Sequence, residues 1–311
     1  MTKGHTKTVV SIAVAILWCT SLPALGQQAV KPGAAKAGSA AETKSSPSSS
    51  LAATVMKLKQ IRVKDLDTDV PMAAKPLLTK LKQELSVLIQ DTLNKQALRG
   101  TNPEELRTQI VSRLKSIGVA VAEPQTVSDS GPADTADHPF GDLLGVTLET
   151  PDGFPDLLVA TTTVSIPCGE DSSLYVFNKH SGGWELLIEQ EINDYDSISD
   201  AQGSLGYAVG PADHSRPFFV VVATINPWCT SNWQGIRYTV MRAGKTADQP
   251  AILFSTTDTV YLGGDEKYRI TVTPDGFTMK FDSSAPDNSD EISAMKQVKY
   301  KVSGNKVVER R

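Results

Sequence analysis

From residue 139 onward, short apolar runs are separated by turn residues, most of them at intervals of about 8–12 positions, and this rhythm confines the chain to antiparallel β structure. The alternation is clearest near the end. Tyr268, Ile270 and Val272 fall on one side of an extended segment, Pro274-Asp275-Gly276 reverses the chain, and Phe277, Met279 and Phe281 return along it. Val298, Tyr300 and Val302 repeat the pattern before the turn Ser303-Gly304-Asn305. Earlier strand candidates are Leu143 to Leu148, Leu157 to Ile166, Leu174 to Phe177 and Trp184 to Ile188, with His180-Ser181-Gly182-Gly183 as a turn. Phe218 to Ile225, Ile236 to Met241, Ala251 to Phe254 and Val260 to Leu262 continue the series. The expected fold class is mainly β, an antiparallel meander of hairpins preceded by an amphipathic helical hairpin. A sandwich, an open barrel and a small propeller all satisfy the spacing. No internal repeat of blade length favours the propeller.

The helical part occupies 51–122. Leu77, Leu78, Leu81, Leu85, Leu88 and Ile89 recur at three- and four-residue steps and make one apolar stripe. Asn102-Pro103-Glu104-Glu105 opens a second helix with an N-cap, a first-turn proline and a capping-box acid. Leu106, Ile110, Val111, Leu114 and Ile117 form its buried face. The short connection predicts an antiparallel pair. A further helix is expected within 51–62.

Two segments of different character flank this part. Residues 27–50 are Ala, Gly, Lys, Pro and Ser with almost nothing large and apolar, so they are read as a disordered tether. Residues 123–138, EPQTVSDSGPADTADH, are read as a linker to the β-rich region 139–311. At the start, Lys3 and Lys7 precede the apolar run Val9 to Trp18, followed by Pro23 and the small residues Ala24 and Gly26. A basic start, an apolar stretch and a small-x-small site predict a signal peptide over 1–26, cleaved after Gly26. Thr20, Ser21 and Pro23 end the run too early for a membrane-spanning helix. The expected location is therefore periplasmic or extracellular, with no transmembrane anchor after cleavage.

Charge is unevenly distributed. The chain carries 31 Lys and Arg against 35 Asp and Glu, a net charge of −4. Residues 51–118 hold 12 basic and 7 acidic side chains, whereas 139–311 hold 14 and 23. A nucleic-acid binder would concentrate positive charge on its main domain, so no nucleic-acid partner is expected. The opposite signs allow the basic part to rest on the acidic one, although solvated helix faces carry such charge for solubility alone.

After cleavage the cysteines are Cys168 and Cys229, and an even pair in an exported chain is read as a disulfide. No metal ligand set is expected, since two isolated cysteines supply too few ligands for tetrahedral zinc. Asn193 to Asp200 has the look of a calcium loop, but Ile198 occupies a ligand position and no glycine supplies the sharp turn. His138, His180 and His214 fall in turns or linkers, and Asp213-His214-Ser215 cannot form a triad from adjacent residues. No P-loop, HExxH, GxSxG, SxxK or dinucleotide fingerprint is present. No catalytic residue and no cofactor are therefore assigned.

The most distinctive text is Ile225-Asn226-Pro227-Trp228-Cys229-Thr230-Ser231-Asn232-Trp233, followed by a strand bearing Arg237 and Tyr238. Trp228, Trp233 and Arg237 are the candidate ligand-binding residues. Rigid aromatics in a loop held by a disulfide offer contact area at low entropic cost. The competing reading packs both tryptophans over the disulfide as core.

The segments IPCGEDSSLYVF, NPWCTSNWQGIRY and VYLGGDEKY resemble a group of exported bacterial β-rich proteins of unknown function over about residues 139–302. The resemblance implies a shared β domain and transfers no activity or ligand. On these grounds the chain is expected to be a non-catalytic binding or interaction module, its partner an envelope polymer, a glycan or a protein. The alternative is a hydrolase of an envelope or extracellular polymer that uses spatially paired carboxylates.

Overall fold

The computed structural model describes residues 47–61, 69–96, 102–122, 140–211, 218–227, 233–262, 268–283 and 295–310. The residues read as signal peptide (1–26), as tether up to residue 46 and as linker (123–138), together with Asp213-His214-Ser215, Trp228 and Cys229, lie outside them.

Three helices precede twelve antiparallel strands. The helices are α1 (Pro47–Lys59), α2 (Lys75–Gln96) and α3 (Pro103–Ser116). The helix expected within 51–62 thus begins earlier, at Pro47, inside the stretch read as tether. Leu51, Val55 and Leu58 lie one turn apart and are buried, so docking this stripe carries the preceding serines into the first turn. In α2 the stripe Leu78, Leu81, Leu85, Leu88 and Ile89 is buried as its spacing requires. Asn102 caps α3, its side-chain oxygen accepting from the amides of Glu104 (3.0 Å) and Glu105 (3.4 Å). Gln96 donates to Gln109 and Arg113 to Thr92, so the residue numbers run in opposite directions and α2 and α3 are antiparallel.

The strands form three consecutive four-stranded meanders. The first comprises β1 (Leu144–Glu149), β2 (Leu157–Ile166), β3 (Gly169–His180) and β4 (Gly183–Gln190). The second comprises β5 (Leu205–Pro211), β6 (Phe218–Ile225), β7 (Trp233–Arg242) and β8 (Ala251–Tyr261). The third comprises β9 (Tyr268–Thr273), β10 (Gly276–Asp282), β11 (Met295–Ser303) and β12 (Lys306–Arg310). Strands order themselves within each sheet as they occur in sequence, which is what tight turns produce.

Three apolar clusters show how these layers stack. Leu81, Leu85, Ile110 and Leu114 of the helices meet Leu158, Ala160, Tyr175 and Phe177 of the first sheet. The other face of that sheet, through Leu157, Val159, Leu174 and Val176, meets Phe218, Val220, Val222 and Met241 of the second. The far face of the second sheet, through Val221, Ala223, Tyr238 and Val240, meets Phe277, Met279, Phe281 and Tyr300 of the third. The result is a stack of helices, sheet, sheet and sheet, in which period-2 alternation serves two cores at once. Phe277 stacks on Tyr300 at 4.8 Å and 17°, and the Tyr238 and Tyr300 hydroxyls share a hydrogen bond of 2.8 Å. The three sheets do not close into a barrel.

The opposite charges of the two regions do meet. Lys59 pairs with Asp142 (3.3 Å), Lys75 with Asp196 and Lys82 with Asp171 (2.6 Å), each joining a helix or its flank to the β region. Only the last is buried.

Candidate functional site

The second sheet extends beyond the cover of the first. In β7 the residues Trp233, Gly235, Arg237 and Thr239 share one face, because side chains alternate along a strand. Opposite them β8 places Tyr261, Thr259, Thr257 and Ser255, and β6 and the residue after it place Thr224 and Asn226. Ring packing of Trp233 on Tyr261 at 5.1 Å and 47° fixes one end of this face, and the Thr239–Ser255 hydroxyl contact of 3.0 Å fixes the other. Trp233 is half-buried, and Arg237, Ser255, Thr257 and Thr259 are exposed. Among the described residues of β6, β7 and β8 this face carries no carboxylate. Asp258, the one acid in β6, β7 and β8, points to the opposite side and pairs with Lys296 of β11.

Of the candidate ligand-binding residues, Trp233 and Arg237 therefore stand on one surface, four positions apart on a single strand, and Trp228 lies outside the described residues. The hydroxyl row of β8 escaped the sequence reading. Its signal was the run Ser255 to Thr259, where every second residue is a Ser or Thr on the open face while Thr256 and Asp258 turn inward.

A second polar concentration lies deep between α2 and the first sheet. The Lys82 ammonium donates to the Asp171 carboxylate and to the Ile192 carbonyl (2.6 Å each), and the Tyr195 hydroxyl donates to Asp171 at 2.8 Å. Lys82 also lies 5.5 Å from the Tyr195 ring centre. Burial pushes the Asp171 carboxyl up, opposed by the charge and hydrogen bond of Lys82, by Tyr195 and by the Gln202 backbone. Beside it Tyr175 donates to Glu191, and burial together with that carboxylate drives the phenol well above its usual range. The dimple over Lys82, bounded by Lys75, Thr79, Asn193 and Tyr195, has no room for a water-sized sphere. With both side chains at 1% exposure or less, no ligand reaches the pair in this conformation, and its role is to join the helices to the sheet.

This network also accounts for the segment that looked like a calcium loop. Tyr195 and Ile198 are buried anchors, Asp196 pairs with Lys75, and Asp200 accepts from the Ser197 amide in a reciprocal cap. Among the described residues no group of three or more His, Cys, Asp or Glu side chains is placed to hold a metal ion.

Comparison of the chain with family models, curated protein sequences and solved structures finds no match. Within the fold, however, the three strings that carry the resemblance come together. Gly169, next to Cys168, approaches Pro227 so closely that an added Cβ would stand 3.1 Å from the proline Cβ, and Trp233 of the second string packs on Tyr261 of the third. They meet where the open face of β7 and β8 begins.

One carboxylate has an unusual titration. Glu189 of β4 is half-buried, its amide donates to the Ala247 carbonyl, and its carboxyl is raised from the usual 4.5 to about 7 by burial, then by the charges of Glu191 and Asp248. A raised acid favours the folded state below pH 4.5, and this contribution is lost as pH rises through 7. Glu189→Gln is therefore expected to melt above the wild type at pH 8 and level with it at pH 4. After discounting for solvent screening the difference at pH 8 is about 1 kcal/mol. Thermal melts across this pH range check it; parallel curves for the two proteins would show that Glu189 ionises normally.

Proposed function

We propose that the chain is a non-catalytic binding module that works in the cell envelope or extracellular space and engages a polymer, glycan or protein through the outer face of β7 and β8. The observation that carries this reading is the surface itself, where a half-exposed aromatic pair, an exposed guanidinium and a row of Ser and Thr side chains stand together, with no carboxylate among the described residues of the face. Rigid aromatics and short hydroxyl side chains give contact area and adaptable hydrogen bonds at little entropic cost. The signal segment supports export of this module, and no helix among the described residues is long and apolar enough to cross a membrane.

A disulfide between Cys168 and Cys229 belongs to the same proposal. Cys168 is not a free thiol, and the approach of Gly169 to Pro227 brings the two cysteine-bearing segments together. Such a bond tethers the turn before β3 to the turn between β6 and β7, beside Trp233.

Trp233→Ala tests the reading. Its ring is half-exposed, so truncation is expected to cost less than the about 3–5 kcal/mol of a fully buried tryptophan while removing retention on the binding partner. Melting temperature and retention on immobilised envelope glycans, measured on the same preparation, separate the cases. A large fall in melting temperature with undiminished retention would place Trp233 in the core and remove it from the site.

The second reading, hydrolysis by paired carboxylates, draws on Glu189 and Glu191, which lie two residues apart and interact electrostatically. It ranks second because Glu191 is already engaged, accepting from the Tyr175 hydroxyl and from the Asn193 amide.

A further inference from the structure

The strand glycines of this fold are explained by what stands over them, with one exception. An added Cβ would come within 2.1 Å of Thr163 at Gly145, 2.6 Å of Tyr268 at Gly206, 2.2 Å of Phe219 at Gly210 and 1.9 Å of the Tyr300 carbonyl at Gly276. At each of these positions the chain itself occupies the space a side chain would need. Gly235 is different. It sits in the interior of β7 with no positive φ, and among the described residues nothing comes nearer to its missing Cβ than Asn226 Nδ2 at 3.6 Å and Thr257 Cγ2 at 3.8 Å. A glycine inside a strand is less favourable than alanine, because it loses more backbone freedom on folding. Among the described residues neither backbone conformation nor packing requires glycine here, which leaves the strand open at this point to close approach by a ligand.

Gly235 is the floor of a trough. Trp233 with Tyr261 stands at one end and Arg237 at the other, about 13 Å apart along the strand at roughly 3.3 Å per residue. Asn226 borders one side, and Thr257, its methyl toward Gly235, and Thr259 border the other. We propose that this trough holds an anionic polysaccharide, one sugar ring lying against Trp233 and a carboxylate of a neighbouring ring paired with Arg237. The inference rests on the binding-module reading and names its ligand class. Charge selects the anion. Residues 139–311 carry 9 more acidic than basic side chains, yet among the described residues this face presents a guanidinium that makes no ion pair and presents no acid. A guanidinium fork matches a carboxylate in two parallel hydrogen bonds. The Asn226 amide beside Gly235 and the exposed Ser255, Thr257 and Thr259 of β8 suit the alternating donors and acceptors of a sugar chain.

The test uses the full chain with polygalacturonate as the anionic probe and dextran as the neutral one, by affinity electrophoresis and calorimetry. Wild-type protein is expected to be retarded by polygalacturonate and not by dextran, and less so as salt is added. Arg237→Gln is expected to weaken polygalacturonate binding about tenfold or more, the effect of one lost charge-assisted contact. Gly235→Thr is the decisive variant. The gap accepts a Cβ, so its melting temperature should equal or exceed that of the wild type while binding is abolished. Equal retardation by both polymers, insensitive to Arg237→Gln but lost in Trp233→Ala, overturns the anionic class and leaves the binding face standing. Binding unchanged in both Gly235→Thr and Trp233→Ala overturns the face as well, and so does failure of the wild type to bind either polymer or any envelope extract.

Discussion

Lys82→Ala is expected to destabilise the protein by about 3–5 kcal/mol, because it leaves the Asp171 carboxylate in the interior with its counter-charge removed. The partners are at 1% and 0% side-chain exposure, so water cannot replace the lost ammonium. Tyr195 still donates to Asp171, but one neutral hydrogen bond does not offset a buried charge. Asp171→Asn should cost a comparable amount by stranding Lys82. The cost measures the orphaned partner, not the worth of the pair. A triple replacement, Lys82→Met with Asp171→Leu and Tyr195→Phe, should therefore recover most of the loss. Urea denaturation of the three proteins checks this. A single variant within about 1 kcal/mol of wild type would mean that the pair is hydrated in solution and that the helices are held to the sheet by apolar contacts alone.

Loss of the proposed Cys168–Cys229 bond is expected to have an effect of similar size. It would close a loop of about 60 residues, for which the chain-entropy model gives on the order of 4 kcal/mol. Both Cys168→Ser and Cys229→Ser, and the wild type under reductant, should fall in melting temperature to a common value. Binding should weaken too, since the segment leading into Trp233 at the start of β7 then loses its tether. Mass spectrometry of unreduced peptides reads the bond directly. Two free thiols in protein recovered from its native compartment would remove it from the account.

How much of this was legible in the sequence depended on whether a residue's environment follows from its neighbours along the chain. β2 and β6 are bounded as their apolar runs predict, Leu157–Ile166 and Phe218–Ile225, because a strand buried on both faces reads as continuous hydrophobicity. β5 was missed. Its Gly206, Gly210 and Pro211 look like turn residues, yet the two glycines are there because the rings of Tyr268 and Phe219, distant in sequence, fill their space. β12 was missed because an exposed edge strand needs few apolar residues. β8 was read as two pieces, Ala251 to Phe254 and Val260 to Leu262, since its central residues alternate between an open face and a core of aromatics from another sheet. Of the site, Trp233 and Arg237 were visible as residue types, but the absence of acids around them and the open floor at Gly235 arise only when β6, β7 and β8 lie side by side. The Lys82–Asp171 pair spans 89 positions, and no local pattern marks it.

The central claim is that the open face of β7 and β8 binds a polymer and does not cleave it. Incubating the full chain with envelope polysaccharide, while measuring both retention and the release of new reducing ends, tests that claim most directly. The account predicts saturable retention, lost in Trp233→Ala, with no reducing ends above background. Release of reducing ends by the wild type that disappears in Glu189→Gln or Glu191→Gln and persists in Trp233→Ala would contradict it, and would move the function to the carboxylates of β4 and the residue that follows it.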